Sequence, residues 1–290
     1  MVAPGFLQNE HVRNWLRGIE PAWTLLDHQS FASLVEPPSP TSGTIRVAAD
    51  LTDQELQKSA IAQNALVLLH AAADGPGLKL TATGNLSRTV VAEMCKLFTW
   101  PGYETAGEFQ SHKVANEQDF LPLFFIRHTV QAAKLVRQHE GHLTITRAGR
   151  RLLEPRNLHA IQAVLFRTVF WTLDLSYLGR DRFGAWPQRD SGIVLWSLSV
   201  AGNDWAPRED LTRMCTIPII GVVESQWDIG SYAMGAKILR PLLWFGLLEY
   251  RELDNPEAAG GKNHCYRKTA LFDRFVSFDV QLEQTDRRWH

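Results

Sequence analysis

The sequence of 290 residues contains only three cysteines and no excess of either charge. Cys95, Cys215 and Cys265 lie far apart, and an odd number of widely spaced thiols fits reduced thiols better than a disulfide framework. The 30 basic and 31 acidic residues leave a formal charge of −1, so no overall field draws the chain to a polyanion. Any nucleic-acid surface must therefore be a local basic patch.

Long apolar runs are also missing. The longest uncharged apolar stretches fall short of a bilayer span, and the opening residues MVAPGFLQNEHVRNWLRG lack the apolar core of a signal peptide. These absences predict a cytoplasmic protein with no membrane partner. What the chain does have is a hydrophobic fraction of 45%, which predicts a globular protein that buries roughly three quarters of its unfolded surface.

The sequence lacks the motifs that commonly carry catalysis. It has no G-x-x-x-x-G-K-[ST] phosphate loop, no G-x-S-x-G elbow, no H-E-x-x-H helix and no paired C-x-x-C. The H-E-G-H stretch at residues 139–142 does not have the histidine spacing of a helical zinc site. We therefore expect no enzyme activity, no cofactor and no metal. An enzyme built around residues 174–190 is a distant third possibility.

Breaks in the hydrophobic pattern divide the chain into four parts. An amphipathic segment is followed by the linker VEPPSPTSG, in which three prolines and a glycine forbid a helix. Helical spacing begins after Thr52, alternation over LKLTATG predicts a short strand, and LSRTVVAEMCKLF returns to helical spacing. The predicted parts are an N-terminal segment with its linker at 1–43, a first unit at 44–156, a helical spacer at 157–228 and a second unit at 229–290.

The same order of predicted elements occurs twice. DFLPLFFIRHTVQAAKLVRQ predicts a helix, which leads through a turn at Glu140 and Gly141 into the strand HLTITR and the helix AGRRLLEP. ILRPLLWFG, LLEYREL, CYRKT and ALFDRF repeat this order later. Between the copies, LHAIQAVLFRTVFWTLDLSYL and SGIVLWSLSVAG are apolar on all sides and predict buried helices. The sequence thus predicts a mainly α fold with short β-hairpins (α+β), built from tandem winged-helix units joined by a buried helical spacer.

Four stretches carry a resemblance to a known module. LTATGNLSRTVVAEM, LTITRAGRRLL, LRPLLWFGLLE and YRKTALFDRF together resemble an uncharacterised bacterial winged-helix-like module, sometimes found beside plasmid-type open-reading-frame domains linked to mobile elements. The resemblance covers residues 50–280 and is most specific at 239–249 and 266–275. It implies a winged-helix fold and a bacterial origin. It implies no catalytic residues, since the family has no agreed activity.

Basic residues gather in the first predicted helix and hairpin. Six bases face one acid between Arg127 and Arg151, a local balance of +5. A continuous helix would place Arg127, Gln131, Lys134 and Gln138 on one face, where Arg and Lys suit guanine and Gln suits adenine. An ordinary solvated helix face would have the same composition. The predicted nucleic-acid-binding residues of this unit are Arg127, Gln131, Lys134, Arg137, Gln138, Arg147, Arg150 and Arg151.

A smaller basic set is predicted in the second unit. Its nucleic-acid-binding candidates are Lys237 and Arg240 on the helix and Lys262, Arg267 and Lys268 on the hairpin. The leading hypothesis is a non-enzymatic bacterial DNA-binding protein with tandem winged helices, linked to mobile elements or defence. The alternative is a protein-interaction subunit that clamps a partner chain or a second copy without binding DNA. Near-neutral charge and abundant aromatic residues favour this alternative over a repressor.

Overall fold

The computed structural model describes residues 5–35, 43–102, 116–179, 181–225, 228–256 and 261–283. The chain divides into two units, here called the central unit (Ala48–Leu173) and the terminal unit (Met1–Val47 with Asp174–His290). Both are mainly α with short antiparallel hairpins, so the predicted α+β class is confirmed. None of the helices in these ranges is long and apolar enough to cross a bilayer.

The N-terminal part of the terminal unit is short and helical. Asn9 caps its first helix by accepting a hydrogen bond from the His11 N–H, and Asp27 caps the second by accepting one from the Ser30 N–H. That second bond lowers the pKa of Asp27. The elements are α1 (Glu10–Leu16), α2 (His28–Val35) and β1 (Ile45–Val47), with 3-10 turns at Phe6–Gln8 and Ala22–Leu25.

The central unit begins with capped helices. Thr52 and Glu55 form a reciprocal capping box at the start of the first helix, and the Ser59 and Ser87 hydroxyls cap the next two. Its elements are α3 (Asp53–Leu56), α4 (Ala60–Ala73), β2 (Leu78–Lys79), α5 (Arg88–Leu97), α6 (Leu121–Ala132), β3 (Val136–His139), β4 (His142–Ile145), α7 (Arg147–Leu152) and α8 (Ile161–Trp171), with 3-10 turns at Glu117–Asp119 and Leu158–Ala160.

The second part of the terminal unit repeats this order with longer strands. A π-helical turn at Gly235–Leu239 joins two short α-helices into one helical stretch from residue 229 to residue 244. The elements are α9 (Ser176–Gly179), α10 (Ser191–Ala201), β5 (Ala206–Pro207), α11 (Arg208–Cys215), α12 (Ile220–Val223), α13 (Ile229–Met234), α14 (Arg240–Trp244), β6 (Leu248–Asp254), β7 (Lys262–Lys268), α15 (Ala270–Phe275) and β8 (Val276–Phe278), with a 3-10 turn at Gln188–Asp190.

Each unit contains a three-stranded antiparallel sheet of the same connectivity. The strand order is β2-β4-β3 in the central unit and β5-β7-β6 in the terminal unit. In both sheets the short first strand, β2 or β5, pairs with the last strand of the hairpin. The hairpins also begin in equivalent register, with Val136 opposite Ile145 and Leu248 opposite Lys268.

The helices predicted as a spacer belong to the two units instead. In the central unit α8 packs against α4 and α6, whereas in the terminal unit α10 packs against α2 and α11. A helix that is apolar on all sides must be enclosed, but its sequence does not say by which neighbours. The second unit therefore starts well before the predicted residue 229, because α10, β5 and α11 are its first helix, strand and helix.

The N-terminal segment also differs from the prediction, because it completes the terminal unit rather than standing apart. Strand β1 pairs antiparallel with β8, so that Ile45 lies opposite Phe278. The Trp23 indole N–H donates to the Thr216 carbonyl at 3.0 Å, and the Arg213 Nε donates to the Trp15 carbonyl at 2.8 Å. The predicted linker at 35–43 falls largely on residues 36–42, which lie outside the described residues.

Candidate nucleic-acid interface

Helix α6 ends in a left-handed corner at Lys134. The Lys134 N–H donates to the Gln131 carbonyl at 2.9 Å, the Leu135 N–H donates to the Val130 carbonyl at 2.9 Å, and Lys134 has a φ of 58°. This pair of bonds is the Schellman motif, which ends a helix. The predicted helical face is therefore interrupted, because Lys134 lies beyond the helix and Gln138 lies on β3.

Thr146 fixes the hairpin to this corner. Its N–H donates to the Leu135 carbonyl at 2.9 Å, and its hydroxyl donates to the Lys134 carbonyl at 2.8 Å. The same hydroxyl accepts a hydrogen bond from the Gly149 N–H at 3.1 Å and so caps α7. The main chain thereby holds Lys134 close to Arg147, the first residue of α7.

The β3–β4 hairpin has a buried and an exposed face. Val136 and Ile145 lie opposite each other and are both buried. The next pair, Arg137 and Thr144, points to the other side of the sheet, because successive side chains alternate along a strand. Arg137 is exposed there. Arg137 therefore lies on the hairpin. A helix α6 that continued past Lys134 would have carried it instead.

The tip of the hairpin is a tight turn. Glu140 and Gly141 have φ values of 47° and 73°, as a two-residue type I′ connection requires. Gln138 lies opposite Leu143, and its amide lies close to Gly84. The Gln138 side chain is exposed on β3 rather than on the helix, and its contact with an adenine stays a prediction.

Arg127 does not face solvent. Its side chain is 5% exposed, and Nη1 donates to the Glu117 carboxylate at 2.8 and 2.6 Å while Nη2 donates to the Gly84 carbonyl at 2.6 Å. Glu117 also accepts a hydrogen bond from the Leu86 N–H at 2.7 Å. The prediction that Arg127 contacts DNA is wrong, because its charge is buried against a carboxylate that anchors the turn before α5.

The rest of α6 is equally inaccessible. None of its residues is exposed, and Gln131, the other predicted base reader on this helix, is half-buried. Helix α8 packs against α4 and α6. The helix predicted to enter a DNA groove is therefore enclosed within the central unit, where it contributes Phe125, Ile126 and Val130 to the core.

Five predicted cations do remain exposed, and they define the basic surface: Lys134, Arg137, Arg147, Arg150 and Arg151. None forms an ion pair with an acidic side chain in the described part of the chain. Arg150 and Arg151 follow Arg147 by three and four residues, which places all three on one side of α7. Because no internal acid neutralises these charges, they create a local positive potential on a protein with little net charge.

One further cation lies on the same sheet and was not predicted. Lys79 on β2 is exposed and lies opposite His142 of β4, which lies opposite His139 of β3. Leu78 and Leu80 on either side of it are buried. The alternation of LKLTATG was a sufficient signal that Lys79 faces solvent. Its neighbours could not be inferred, because they depend on the strand order.

In the terminal unit, Lys237 is fully buried. Its ammonium donates to Asp181 Oδ1 at 3.0 Å and to the Gly184 and Trp186 carbonyls at 2.7 and 2.9 Å. The Lys237 side chain is 0% exposed and that of Asp181 is 3% exposed. The prediction that Lys237 contacts DNA is wrong, because this charge fixes the loop at 181–186 onto the π-helical turn.

Arg240 is also used internally. Its guanidinium lies 5.2 Å from the centre of the Trp244 ring, and Nη2 lies 3.5 Å from the Leu178 carbonyl. Burial raises the pKa of the nearby Tyr177 hydroxyl, against the opposing influence of the Arg240 charge. Arg240 therefore contributes to a half-buried cluster and does not present its charge on an open surface.

Two predicted cations of the terminal hairpin are paired across its strands. Lys262 donates to Glu252 at 2.7 Å, and Arg267 donates to Glu249 at 2.7 Å. The hydrogen bond from Lys262 lowers the pKa of Glu252, and the reverse interaction raises the pKa of Lys262. The sequence count of bases could not reveal this pairing, because each acid lies on the opposite strand.

Lys268 completes the internally paired set. Its side chain is 11% exposed, and Nζ donates to the Ser199 carbonyl at 2.7 Å and to the Asp273 carboxylate at 2.9 Å. Lys268 lies in the same register position as the buried Ile145 of the central unit. The predicted second basic patch is therefore not assembled as a free surface. The residues engaged in internal contacts are Lys237, Arg240, Lys262, Arg267 and Lys268.

The loop considered as an enzyme site is an internally bonded corner. Asp181 pairs with Lys237, and the buried Trp186 donates its indole N–H to the Ile217 carbonyl at 2.8 Å. Burial raises the pKa of Asp190, whose carboxylate lies near Arg189. Within the described ranges, no group of three or more His, Cys, Asp or Glu side chains is placed to hold a metal ion.

Sequence comparison identifies a similarity in the central unit. Residues 57–158 match the model of the Y4jL N-terminal domain. This range includes helices α4 to α7, the β3–β4 hairpin and the whole basic surface. The chain is also 34% identical over 77 residues to a protein of Sinorhizobium fredii (strain NBRC 101917 / NGR234) described as the uncharacterized protein y4jL.

The similarity is partial on both sides. The alignment with the Sinorhizobium fredii protein covers 27% of this chain and 35% of the relative. The chain thus spans about a third of the length of the curated relative that it matches. No solved structure matches the chain. The comparisons therefore relate the central unit to an uncharacterised bacterial protein.

Proposed function

We propose that the protein is a non-enzymatic nucleic-acid-binding protein and that its central unit binds DNA. The observation that carries this proposal is the basic surface, in which five exposed cations lie at the corner after α6, on the hairpin and on α7, and form no ion pair within the described part of the chain. Uncompensated Arg and Lys side chains are the groups that contact phosphates. With a net charge of −1, such a local patch must supply the attraction.

The order of elements supports a winged-helix interpretation of both units. Helix, strand, helix, helix and hairpin follow one another around a three-stranded sheet in each of them. In the central unit the cations lie at the corner after α6, on the hairpin and on α7, so the proposed phosphate contacts belong to this part of the fold. The link to mobile elements or defence that the sequence resemblance implies stays a prediction.

The test is a titration of duplex DNA at several salt concentrations. Five phosphate contacts give a slope of log K against log salt of about −4.5, since each contributes about −0.9. The Arg147→Glu/Arg150→Glu variant removes two contacts, so we expect its slope to be no steeper than about −2.7. Its affinity should also fall by about tenfold or more at low salt.

A matched control separates the basic surface from overall charge. Lys58 and Arg167 are exposed residues of the central unit outside the basic surface, and Lys58→Glu/Arg167→Glu changes the net charge by the same amount. We expect this control to keep the wild-type slope. If both double variants lose binding equally, or if the wild-type protein does not bind DNA, the proposal is wrong.

A second candidate function, protein interaction, is favoured by the terminal unit. Ile220 is 71% exposed and Tyr232 is 59% exposed, and a cavity of about 240 Å³ beside Ile220 is lined by Phe6, Val12 and Val223. Exposed apolar side chains of this kind mark partner surfaces when they are grouped. Among the described residues, the exposed large apolar side chains of this unit are Leu25, Tyr177, Val200, Ile220, Tyr232, Tyr250, Leu253 and Leu282, against Leu97 in the central unit.

Self-association or a stable partner would distinguish this candidate. If the terminal unit binds a partner or a second copy through this region, Ile220→Ser should lower the sedimenting mass or release the co-purifying chain. Leu97→Ser is the matched control, because it removes an exposed leucine from the central unit. A monomeric wild-type protein that co-purifies with nothing would reject protein interaction as the function.

A further inference from the structure

The helix that was predicted to lie along a DNA groove, α6, does not present side chains for reading bases. Helix α6 has no exposed residue, and the Arg127 guanidinium that was predicted to reach a guanine is bonded to Glu117 and the Gly84 carbonyl. Direct readout requires side chains that reach base edges from an element lying in a groove. Since α8 packs against α6, presenting α6 to a groove would require the core to open.

The described residues of the central unit also offer no stacking platform. Proteins that bind single strands stack the bases on exposed aromatic rings. In the described part of this unit every Phe and Trp is buried or half-buried, as Trp100, Phe125 and Phe166 illustrate. The basic surface itself contains no aromatic residue. A single strand would therefore gain only the electrostatic part of its binding energy here.

What the unit does present is a set of long cationic side chains on rigid main chain. Arg137 is fixed by the β3–β4 register, and Lys134 and Arg147 are fixed by the Thr146 bonds. Lys134 keeps its left-handed conformation at a position where the terminal unit has Gly246, with a φ of 72°. Cationic side chains that leave the main chain at fixed positions can reach the regular phosphates of a duplex.

We infer that the basic surface recognises the phosphate backbone of duplex DNA without reading its sequence. This inference rests on the proposed function, and it adds the class of DNA and the mode of recognition. Contacts to phosphates fix the position of a protein on a duplex but carry no sequence information directly. The salt dependence should therefore be strong, whereas the sequence dependence should be weak.

The experiment compares ligands by fluorescence anisotropy with the full chain. The ligands are three unrelated duplexes of about 20 base pairs, one rich in A·T, one rich in G·C and one mixed, together with a single strand of equal length and polyglutamate. We expect the three duplex affinities to agree within about threefold, far less than the cost of several mismatched base pairs in a specific site. The single strand should bind at least about tenfold more weakly than the duplexes.

The Arg147→Glu/Arg150→Glu variant should weaken all three duplexes by the same factor, because it removes phosphate contacts only. A preference of about 100-fold among the duplexes would overturn backbone recognition while leaving DNA binding intact. Equal affinity for the single strand or for polyglutamate would overturn duplex recognition. Failure to bind any nucleic acid would instead reject the proposed function itself, so the two failures are distinguishable.

Discussion

The corner at Lys134 in the central unit and the corner at Gly246 in the terminal unit are built from the same bonds. The Leu247 N–H donates to the Leu242 carbonyl at 2.9 Å, as Leu135 does to Val130. The Thr269 N–H and hydroxyl then donate to the Leu247 and Gly246 carbonyls, each at 2.9 Å. Thr146 makes the same two bonds in the central unit.

The surroundings of the two corners have opposite chemistry. In the central unit, four-residue strands joined by a two-residue turn carry the exposed Arg137, and four more exposed cations lie at the corner and on α7. Strands of seven residues carry cross-strand ion pairs in the terminal unit. The comparison teaches that a shared backbone arrangement does not imply a shared ligand, because the cations around the central corner form no ion pairs in the described part of the chain, whereas Lys262 and Arg267 do.

The largest effects should come from the buried ion pair of each unit. Arg127→Met and Lys237→Met each leave a carboxylate buried without its cation, Glu117 or Asp181, and each should lower the free energy of unfolding by about 3–5 kcal/mol. Urea unfolding measures this loss. Equal losses would show that the two pairs play the same structural role in their units.

Neutralising the orphaned acid provides the control. Arg127→Met/Glu117→Gln and Lys237→Met/Asp181→Asn remove both charges, and we expect each double variant to be more stable than the corresponding single variant by about 1–3 kcal/mol. A single variant as stable as the wild-type protein would contradict the assignment of that cation to the core.

The next largest loss of stability should come from a substitution at the corner of the central unit. A Cβ atom at Gly149 would collide with the Leu135 carbonyl, whereas the equivalent position after Thr269 in the terminal unit is occupied by Phe272. We expect Gly149→Ala to cost about 1–3 kcal/mol of unfolding free energy. The exposed neighbour Ala148 is the control, and Ala148→Ser should change stability by less than about 0.5 kcal/mol.

Exchanging the corner residues should have opposite effects in the two units. Lys134→Gly relieves a left-handed lysine and should raise stability by up to about 1 kcal/mol, whereas Gly246→Lys should lower it by about 1–2 kcal/mol. Thermal unfolding of both variants measures the difference. Lys134→Gly should also make the salt slope of DNA binding shallower by about 0.9, and Gly246→Lys should leave that slope unchanged.

The smallest effect concerns acid stability of the terminal hairpin. The pKa of Glu252 is lowered in the folded protein, so its ionised form stabilises the fold above the ordinary glutamate range. That contribution is lost as the pH falls through the lowered pKa. We expect Glu252→Gln to be slightly less stable than the wild-type protein at pH 7 and equally stable in strong acid. A constant difference across this range would contradict the Lys262 pairing.

Much of the fold could be predicted from local pattern. The mainly α class, the Glu140–Gly141 turn and the β3–β4 and β6–β7 hairpins follow from periodicity and turn residues. The boundaries of the second unit could not be predicted in this way, because α10 and α11 pack against elements that are distant in sequence, such as α2 and β7. Helical spacing likewise extended α6 past Lys134, since a left-handed lysine is not a common stop signal.

The candidate site could be predicted only in part. Counting bases identified Arg137, Arg147 and Arg150 as cations that an excess of base over acid in one short segment leaves without a local acidic partner, and their contact with DNA stays a prediction. It failed for Arg127 and Lys237, whose acidic partners lie on other elements, 10 and 56 residues away. Burial of a charge depends on such partners, and a single sequence does not name them.

The corner held by Thr146 or Thr269 affects which sequence changes the hairpins can accept. It relies on main-chain atoms and one hydroxyl, so the strands beyond it are free to lengthen, shorten or exchange their charges without altering the bonds that hold them. Both hairpins are thus joined to the preceding helix by the same hydrogen-bonded corner. Grafting the strands of one onto the other corner would move the charges that the strands carry, such as Arg137, and would leave Lys134 and the arginines of α7 in place.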